Sequence, residues 1–441
     1  MTRPNIVYIV CDDLGYADLG CYGGREAGFG RVSPHIDALA AGGLKFTEGY
    51  SNSPVCSPTR FALMTMRYQY RLRGAAEEPI NSKARHSQTL GLPPEQPTLP
   101  SLLRASGYRT ALIGKWHLGY PPAFGPLRSG YEEFFGPMAG GVDYFTHCSS
   151  TGDHDLWFGE NEHPEVGYLT DLLSRRAVDY VNRMAEGAKT GTPFMLSLHY
   201  TAPHWPWETR DDAHVAPEVA KNLFHLDGGN VESYRRMIHH MDEGIGWIME
   251  ALKAHGLSEN TIVVFTSDNG GERFSDSWPL VGGKMDLTEG GIRVPWIVHW
   301  PAQVPAGSTT AQHGMSMDFS RTLLDAAGVA PAASHAPDGV SLLPVWRNPT
   351  ARFPRPMHWR MNHRGQRALR EGEWKYLRVD GHDYLFNIAR DARERANLAR
   401  RHPEHLEAMR ARWEAWNATM PPIPEDATVS LGYGSKDMPQ R

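Results

Sequence analysis

Apolar positions along the chain follow two rhythms. Short runs rich in β-branched residues, NIVYIV (5–10), TALIG (110–114), FMLSLHY (194–200), TIVVFTS (261–267) and PWIVHW (295–300), read as strands buried on both faces. Helical spacing lies between them. In 231–256 the residues Tyr234, Ile238, Met241, Ile245, Ile248 and Leu252 step by four and three, while Arg235, Arg236, Asp242 and Glu243 fall elsewhere. Segment 168–187 repeats the pattern with Leu169, Leu172, Leu173, Tyr180, Val181 and Met184, so both predict amphipathic helices. Strands alternating with helices predict an α/β fold, a large mixed but mostly parallel sheet sandwiched by helices. Ligands of such sheets sit beyond the carboxyl ends of the strands.

After about residue 340 the texture changes. RPMHWRMNHRGQRALREGEWKYLRVDGHDYLFNI alternates in short segments broken by glycine and charge, which predicts a small antiparallel sheet. A charged helix follows, with Leu406, Met409, Trp413 and Trp416 along one side. The expected division is a large α/β domain over 1–340 and a smaller α+β subdomain over 341–441, with an irregular tail from Pro421 onward.

Composition narrows the function. The 441 residues carry 45 basic and 50 acidic side chains, a formal net charge of -5, well mixed along the chain. That balance lacks the basic field on which nucleic-acid binding depends. The four cysteines, Cys11, Cys21, Cys56 and Cys148, show no repeated CxxC spacing and read as free thiols. The opening MTRPNIVYIVCDD is too short and wrongly flanked for a signal peptide or a membrane span, so the expectation is a cytoplasmic protein with no membrane partner.

Charged and metal-capable groups collect at the strand ends. The first run ends in Asp12 and Asp13, the second in Lys115, Trp116 and His117, the third leads to His204, and the fourth ends in Asp268 and Asn269. Two carboxylates behind a buried strand are costly unless something positive meets them; a turn or helix cap is the plainer reading of one such pair, but two pairs point to a metal. Oxygen ligands of this kind suit calcium or magnesium. Arg60, Lys115 and Lys284 are the candidates that would make such a site attractive to an anion. Cys56 stands in PVCSPTRFALMTMR and allows three readings: a small buried hydrophobe, a thiolate nucleophile, or a residue that is modified.

The pattern Cys56-x-Pro58-x-Arg60 resembles the sulfatase signature CxPxR, whose cysteine a dedicated maturation system oxidises to formylglycine. The resemblance covers nearly the whole chain, through RPNIVYIVCDDLGYADLGCYG, SPHIDALAAGGLKFTEGY, CSPTRFALMT, TALIGKWHLG, YTAPHWPW, TSDNGG and GGKMDLTEGGIRVPWIVHWP in family order. Two departures stand out. Met66 replaces the glycine of the usual LTG-Arg continuation, and Thr59 stands where serine is commonest.

The resemblance implies an alkaline-phosphatase-like fold and a sulfuric ester hydrolase of the arylsulfatase type. It implies calcium, with magnesium as the other candidate, held by Asp12, Asp13, Asp268, Asn269 and the converted residue 56. It also implies a formylglycine-generating enzyme as maturation partner and a small-molecule or carbohydrate sulfate ester as substrate. One hydroxyl of the hydrated aldehyde would attack sulfur and release the alcohol, and deprotonation of the other would expel sulfate. Arg60 and Lys115 would support the aldehyde residue, His117 would take the proton, and Lys284 and His204 would bind sulfate and protonate the leaving oxygen, as general acids do. His147, in GVDYFTHCSS, stands where some members place a sulfate ligand, a loop histidine being the plain alternative. His199 reads as a packed strand residue, Trp205 and Trp207 as a ring-binding wall or core, and Arg293 as structural. A phosphonate monoester or phosphodiester hydrolase of the same superfamily is the nearest rival, and Asp268–Asn269 favours the sulfatase. A catalytically dead binding protein is disfavoured because every expected catalytic position is filled.

Overall fold

The computed structural model describes residues 3–23, 30–225 and 228–431. Ten strands form one sheet in the order β11 (Ser308–Thr310), β2 (Leu44–Phe46), β10 (Trp296–His299), β9 (Thr261–Ser267), β1 (Asn5–Cys11), β8 (Phe194–His199), β4 (Arg109–Gly114), β5 (Glu133–Gly136), β6 (Trp157–Phe158) and β7 (Asn161–Glu162). The five strands β9, β1, β8, β4 and β5 run parallel, with Val7 opposite both Leu196 and Val263. The apolar run at 295–300 supplies β10, which is antiparallel to β9 and β2 and makes the sheet mixed.

Burial explains the apolar runs. All seven residues of β1 are buried, and neighbouring side chains of a strand face opposite ways. Ile6, Tyr8 and Val10 pack with Leu103, Phe319 and Leu323; Val7, Ile9 and Cys11 join the core of Leu173, Tyr180, Ile238 and Ile245. The second set comes from helices Leu169–Lys189 and Val231–Ala254, which lie against each other. Helix Cys56–Thr65 packs with Ser316–Ala326. A sheet covered on both sides can open to ligand only at its ends and edges.

A short parallel pair, β3 (Gly49–Tyr50) with β12 (Gly314–Met315), lies beside the main sheet. The small sheet is β13 (Met357–Arg360), β14 (Arg367–Glu371), β15 (Trp374–Val379) and β16 (His382–Asn387), antiparallel throughout. Leu369, Tyr376 and Leu385 pack on Met409 and Trp413 of helix Pro403–Asn417, while Ala368, Leu377 and Phe386 join the large core. Leu342, Leu343, Val345 and Trp346 still pack beneath the main sheet. Among the described residues no two cysteines are joined by a disulfide. Among the described residues no helix is long and apolar enough to cross a membrane.

Candidate active site

Four adjacent parallel strands deliver the site. Asp12 and Asp13 follow β1, Lys115 and His117 follow β4, the segment to His204 follows β8, and Asp268 and Asn269 follow β9. Cys56 is the first residue of the helix Cys56–Thr65, all ten residues of which are buried. Asp13 and His117 turn into the site with φ of 63° and 58°. Residues other than glycine rarely adopt this conformation, and where they do so in a rigid surround it is often at a functional site.

Each carboxylate has its own cation. Lys115 Nζ lies 2.5 Å from Asp12 Oδ2, Lys284 Nζ 2.7 Å from Asp13 Oδ2, and Arg60 Nη2 2.9 Å from Asp268 Oδ2, every one of these side chains buried. Arg60 also donates through Nε to Asp268 Oδ2 at 3.0 Å and through Nη1 to the Lys115 carbonyl at 3.0 Å. His199, a packed strand residue as expected, places Nδ1 3.3 Å from Arg60 Nη1 and helps seat it. Buried ion pairs add little net stability because desolvation offsets their attraction. Three such pairs in one place indicate chemistry.

The donor set fits a hard cation. One ligand atom each from Asp12, Cys56 and Asp268 lies within 4.8 Å of the others, and the same holds for Asp12, Asp13 and His204. Asn269 Nδ2 donates to Asp13 Oδ1 at 2.7 Å and to the Gly270 carbonyl at 2.9 Å, which leaves Asn269 Oδ1 as a buried acceptor without a donor; Asp12 Oδ1 is in the same condition. Buried oxygens without donors call for a partner, and oxygen ligands suit calcium or magnesium. Burial, with Asp268 adding to it, pushes the Asp12 carboxyl well above its usual range despite Lys115. Burial also works on Asp13, yet Lys284 above all holds it at about 2.

The remaining groups define proton roles. Burial raises the Cys56 thiol, and Lys115 and Lys284 offset this only in part; such an environment disfavours a thiolate. Burial, reinforced by Lys115, keeps His117 neutral. Its Nε2 lies 2.8 Å from the Ile80 carbonyl and must donate there, since a carbonyl only accepts. Nδ1 is then a buried lone pair without a partner. The ring packs over Gly140, where a Cβ would come within 2.3 Å of His117 Cε1. His204 is likewise held neutral by burial and then by Lys284; its Nδ1 donates to the Trp205 carbonyl at 2.6 Å, and its Nε2 lies 3.6 Å from Asp13 Oδ2.

A cavity of about 60 Å³ opens over Cys56, with His117, His204, Trp205, Phe224 and Leu431 in its walls. Asp12, Asp13, Cys56, Arg60, Lys115, His204, Asp268, Asn269 and Lys284 are thus brought together through their contacts, and His117 joins them across this cavity. His147 is directed elsewhere: its Nε2 faces the Gly167 carbonyl at 3.2 Å and its ring lies 6.4 Å from that of His154. Trp205 lines the cavity, whereas Trp207 packs on Phe274 at 4.6 Å and under Arg273 at 4.4 Å. Arg293 holds the Thr47 carbonyl at 2.8 Å, a structural contact. Phe224, Ile80 and Leu431 escape a sequence reading because no motif marks them. Only long-range packing brings them here.

Comparison with known proteins agrees with this geometry. The family model described as Sulfatase matches residues 4–329. The N-acetylgalactosamine-6-sulfatase of Canis lupus familiaris is 33% identical over 364 residues, covering 78% of this chain and 66% of its own length. The N-acetylgalactosamine-6-O-sulfatase of Bacteroides thetaiotaomicron is 28% identical, covering 91% of each chain. The chain therefore spans just under two thirds of the canine relative and most of the bacterial one. The crystal structure of Ps i-CgsB in complex with k-i-k-neocarrahexaose superposes with a TM-score of 0.82 at 31% identity, covering 99% of this chain and 96% of that one. With the family model matched over well more than half of its length, the chain belongs to the sulfatase family.

Proposed function

We propose that the protein hydrolyses sulfate monoesters of carbohydrates, with residue 56 in its aldehyde form as nucleophile and calcium as the resident cation. The observation that carries this reading is the set of three buried carboxylate–cation pairs around Cys56 at the ends of the parallel strands. Three carboxylates against three cations sum to zero formal charge. A divalent cation leaves about two positive charges on that count, which suits an anionic ester. The sugar substrate is supported by similarity to Ps i-CgsB, solved with k-i-k-neocarrahexaose, and to the N-acetylgalactosamine sulfatases.

The hydrated aldehyde supplies a hydroxyl nucleophile, and the cation supplies Lewis acidity to a sulfate oxygen. Around them the chain's own residues divide the work. Asp12, Asp13, Asp268 and Asn269 would hold the cation. Arg60 fixes Asp268 and, through the Lys115 carbonyl, the start of the segment carrying His117. His117 Nδ1 is oriented as an acceptor by the bond from Nε2 to Ile80, so it can take a proton from residue 56. Lys284, released from Asp13, and His204, charged once an anionic sulfate lies beside it, donate to sulfate oxygens and to the leaving alcohol oxygen. The sulfur–oxygen ester bond breaks. The alcohol leaves with a proton, and water supplies the oxygen that departs in sulfate.

The test joins peptide mass spectrometry across residue 56 with assays on 4-nitrophenyl sulfate, 6-sulfated N-acetylgalactosamine and an aryl phosphonate. An aldehyde at residue 56 and preferred turnover of the sulfates are expected, and Cys56→Ala should remove activity while leaving the fold intact. An unmodified thiol in a fully active enzyme would falsify the aldehyde mechanism. Preferred turnover of the phosphonate would instead favour the phosphonate hydrolase reading.

A further inference from the structure

The last described residues return to the catalytic cavity. Val429 forms a parallel β-bridge with Glu78; the Glu78 amide donates to the Thr428 carbonyl, and the Ser430 amide to the Glu78 carbonyl, each at 2.9 Å. Ser430 Oγ donates to the Pro79 carbonyl at 3.1 Å. Side chains reinforce this seam. The Thr428 amide donates to Glu77 Oε2 at 3.0 Å and the Thr428 hydroxyl donates to the same oxygen. Arg73 pairs with Glu77 at 2.6 Å and with Asp426 at 2.9 Å. The Glu78 carboxylate accepts from the amides of Asn362 and His363 at 2.7 and 2.9 Å. These bonds hold Thr428–Ser430 against Glu77–Pro79.

That seam is next to the nucleophile. Ser57, directly after Cys56, accepts the Ile80 amide at 2.9 Å, so the helix bearing Cys56, the segment Glu77–Ile80 and the segment Thr428–Leu431 follow one another in hydrogen-bonded succession. Ser430 and Leu431 line the cavity over Cys56, and Leu431 is buried. Trp205 and Phe224 also line it, their rings 4.7 Å apart. One part of the lining is therefore aromatic and another aliphatic, and Cys56, His117 and His204 line the same cavity.

We propose that Ser430 and Leu431 are specificity-determining residues, which confine the alcohol part of the ester to a single six-membered ring between Leu431 and the aromatic pair. The inference rests on sulfate ester hydrolysis at residue 56. A pyranose chair and an aryl ring are of similar breadth and both present apolar faces, and the assay separates them. Residues that merely complete the fold would alter all substrates alike. A wall changes their ranking.

The test uses the full chain, matured in cells and normalised to aldehyde content at residue 56. Wild type, Leu431→Ala, Leu431→Trp and Ser430→Ala are compared on 4-nitrophenyl sulfate, on the two-ring 4-methylumbelliferyl sulfate and on 6-sulfated N-acetylgalactosamine. Leu431→Ala should raise the ratio of two-ring to one-ring kcat/KM by about fivefold or more, mainly through KM, since a change of a few methylenes in an apolar pocket is worth about 10-fold or more in selectivity. Leu431→Trp should move the ratio the other way. Ser430→Ala should shift KM for the sugar more than for the aryl ester. Unchanged ratios in the variants, with or without a lower Tm, overturn the proposal. A converted wild type inactive on every sulfate overturns the sulfatase reading itself, and that result is visible before any variant is made.

Discussion

Lys284 Nζ donates to Asp13 Oδ2 at 2.7 Å in a place where neither side chain reaches solvent. The two hold each other: Lys284 keeps Asp13 ionised against burial, and Asp13, opposing the same burial, raises the lysine above its usual range. A cation held by Asp13 would give it a second positive partner and would let Lys284 turn to substrate. Lys284→Ala should therefore act twice. Turnover of a sulfate ester should fall by about 10² to 10³, the usual cost of one donor to developing negative charge. Removing one partner of a buried pair also costs about 3 to 5 kcal/mol. Added calcium should raise the Tm of this variant more than that of wild type, because the ion supplies the charge that Asp13 has lost. Steady-state kinetics and melting curves with and without calcium check both halves, and equal calcium effects on the two proteins would refute the coupling.

Much of this architecture can be read from residue order. Five buried runs mark the central strands because two-sided cover needs uninterrupted apolar sequence, and the charged residues at their ends mark the site. Pairing partners are not legible. Nothing in the sequence assigns Lys115 to Asp12 and Lys284 to Asp13, since both contacts join positions more than a hundred residues apart. His147 shows the same limit: its motif leaves the ring direction open, and packing beside Gly167 decides it. The tail reads as irregular from Pro421 because its order comes from Glu77 and Glu78, far away in the chain.

Gly140 lies against the His117 ring so closely that an added Cβ would stand 2.3 Å from Cε1 and 2.6 Å from Nε2. Gly140→Ala must displace the ring and weaken the bond from Nε2 to the Ile80 carbonyl. If His117 moves a proton and does not hold ground-state substrate, kcat should drop about 10² to 10³ with KM within about threefold. A rise in KM at unchanged kcat would assign the position to binding instead.

Asp12 Oδ1 and Asn269 Oδ1 are buried acceptors without a hydrogen-bond donor. Chelation with EDTA should remove activity, and add-back should restore it with calcium more effectively than with magnesium. The ion should also stabilise the folded protein, by about 2.7 kcal/mol at 100 times its dissociation constant. Replacing Asp12 with Asn should abolish the calcium-dependent rise in Tm. A rise that survives in this variant would place the ion elsewhere.

Asp155 Oδ2 accepts the Ala139 amide at 2.6 Å and Oδ1 the Trp157 indole at 2.9 Å, which ties down the segment that continues to Gly140. Burial nevertheless raises its carboxyl to about 7, the two hydrogen bonds opposing the rise. In an unfolded chain the value is about 3.9. Between these values the folded protein binds more protons than the unfolded one. The contribution is thus complete below about pH 4 and is lost as pH rises through about 7. Asp155→Asn should flatten that part of the stability curve, measured by urea melts from pH 4.5 to 8. An unaltered slope would show that Asp155 is ionised throughout.

Met66 closes the helix that starts at Cys56, with φ of 60°, its amide bonded to the Ala62 carbonyl at 2.9 Å and its own carbonyl accepting from Asp338 and Gly339. This left-handed position favours glycine and costs other residues about 1 to 2 kcal/mol. The methionine side chain is 2% exposed and packs with Leu63, Phe319 and Leu342. Deleting a buried methionine side chain costs about 2 to 5 kcal/mol, more than the backbone relief. Met66→Gly should therefore destabilise the folded protein by about 1 to 3 kcal/mol. Cys56 is buried in the folded protein, so an enzyme that converts it would have to reach the segment before it folds, and the backbone freedom of glycine should then raise the fraction converted. Urea melts and peptide mass spectrometry on the same preparations separate these effects. Greater stability in the glycine variant would mean that strain, and not packing, dominates at Met66, and an unchanged aldehyde fraction would remove this residue from any role in maturation.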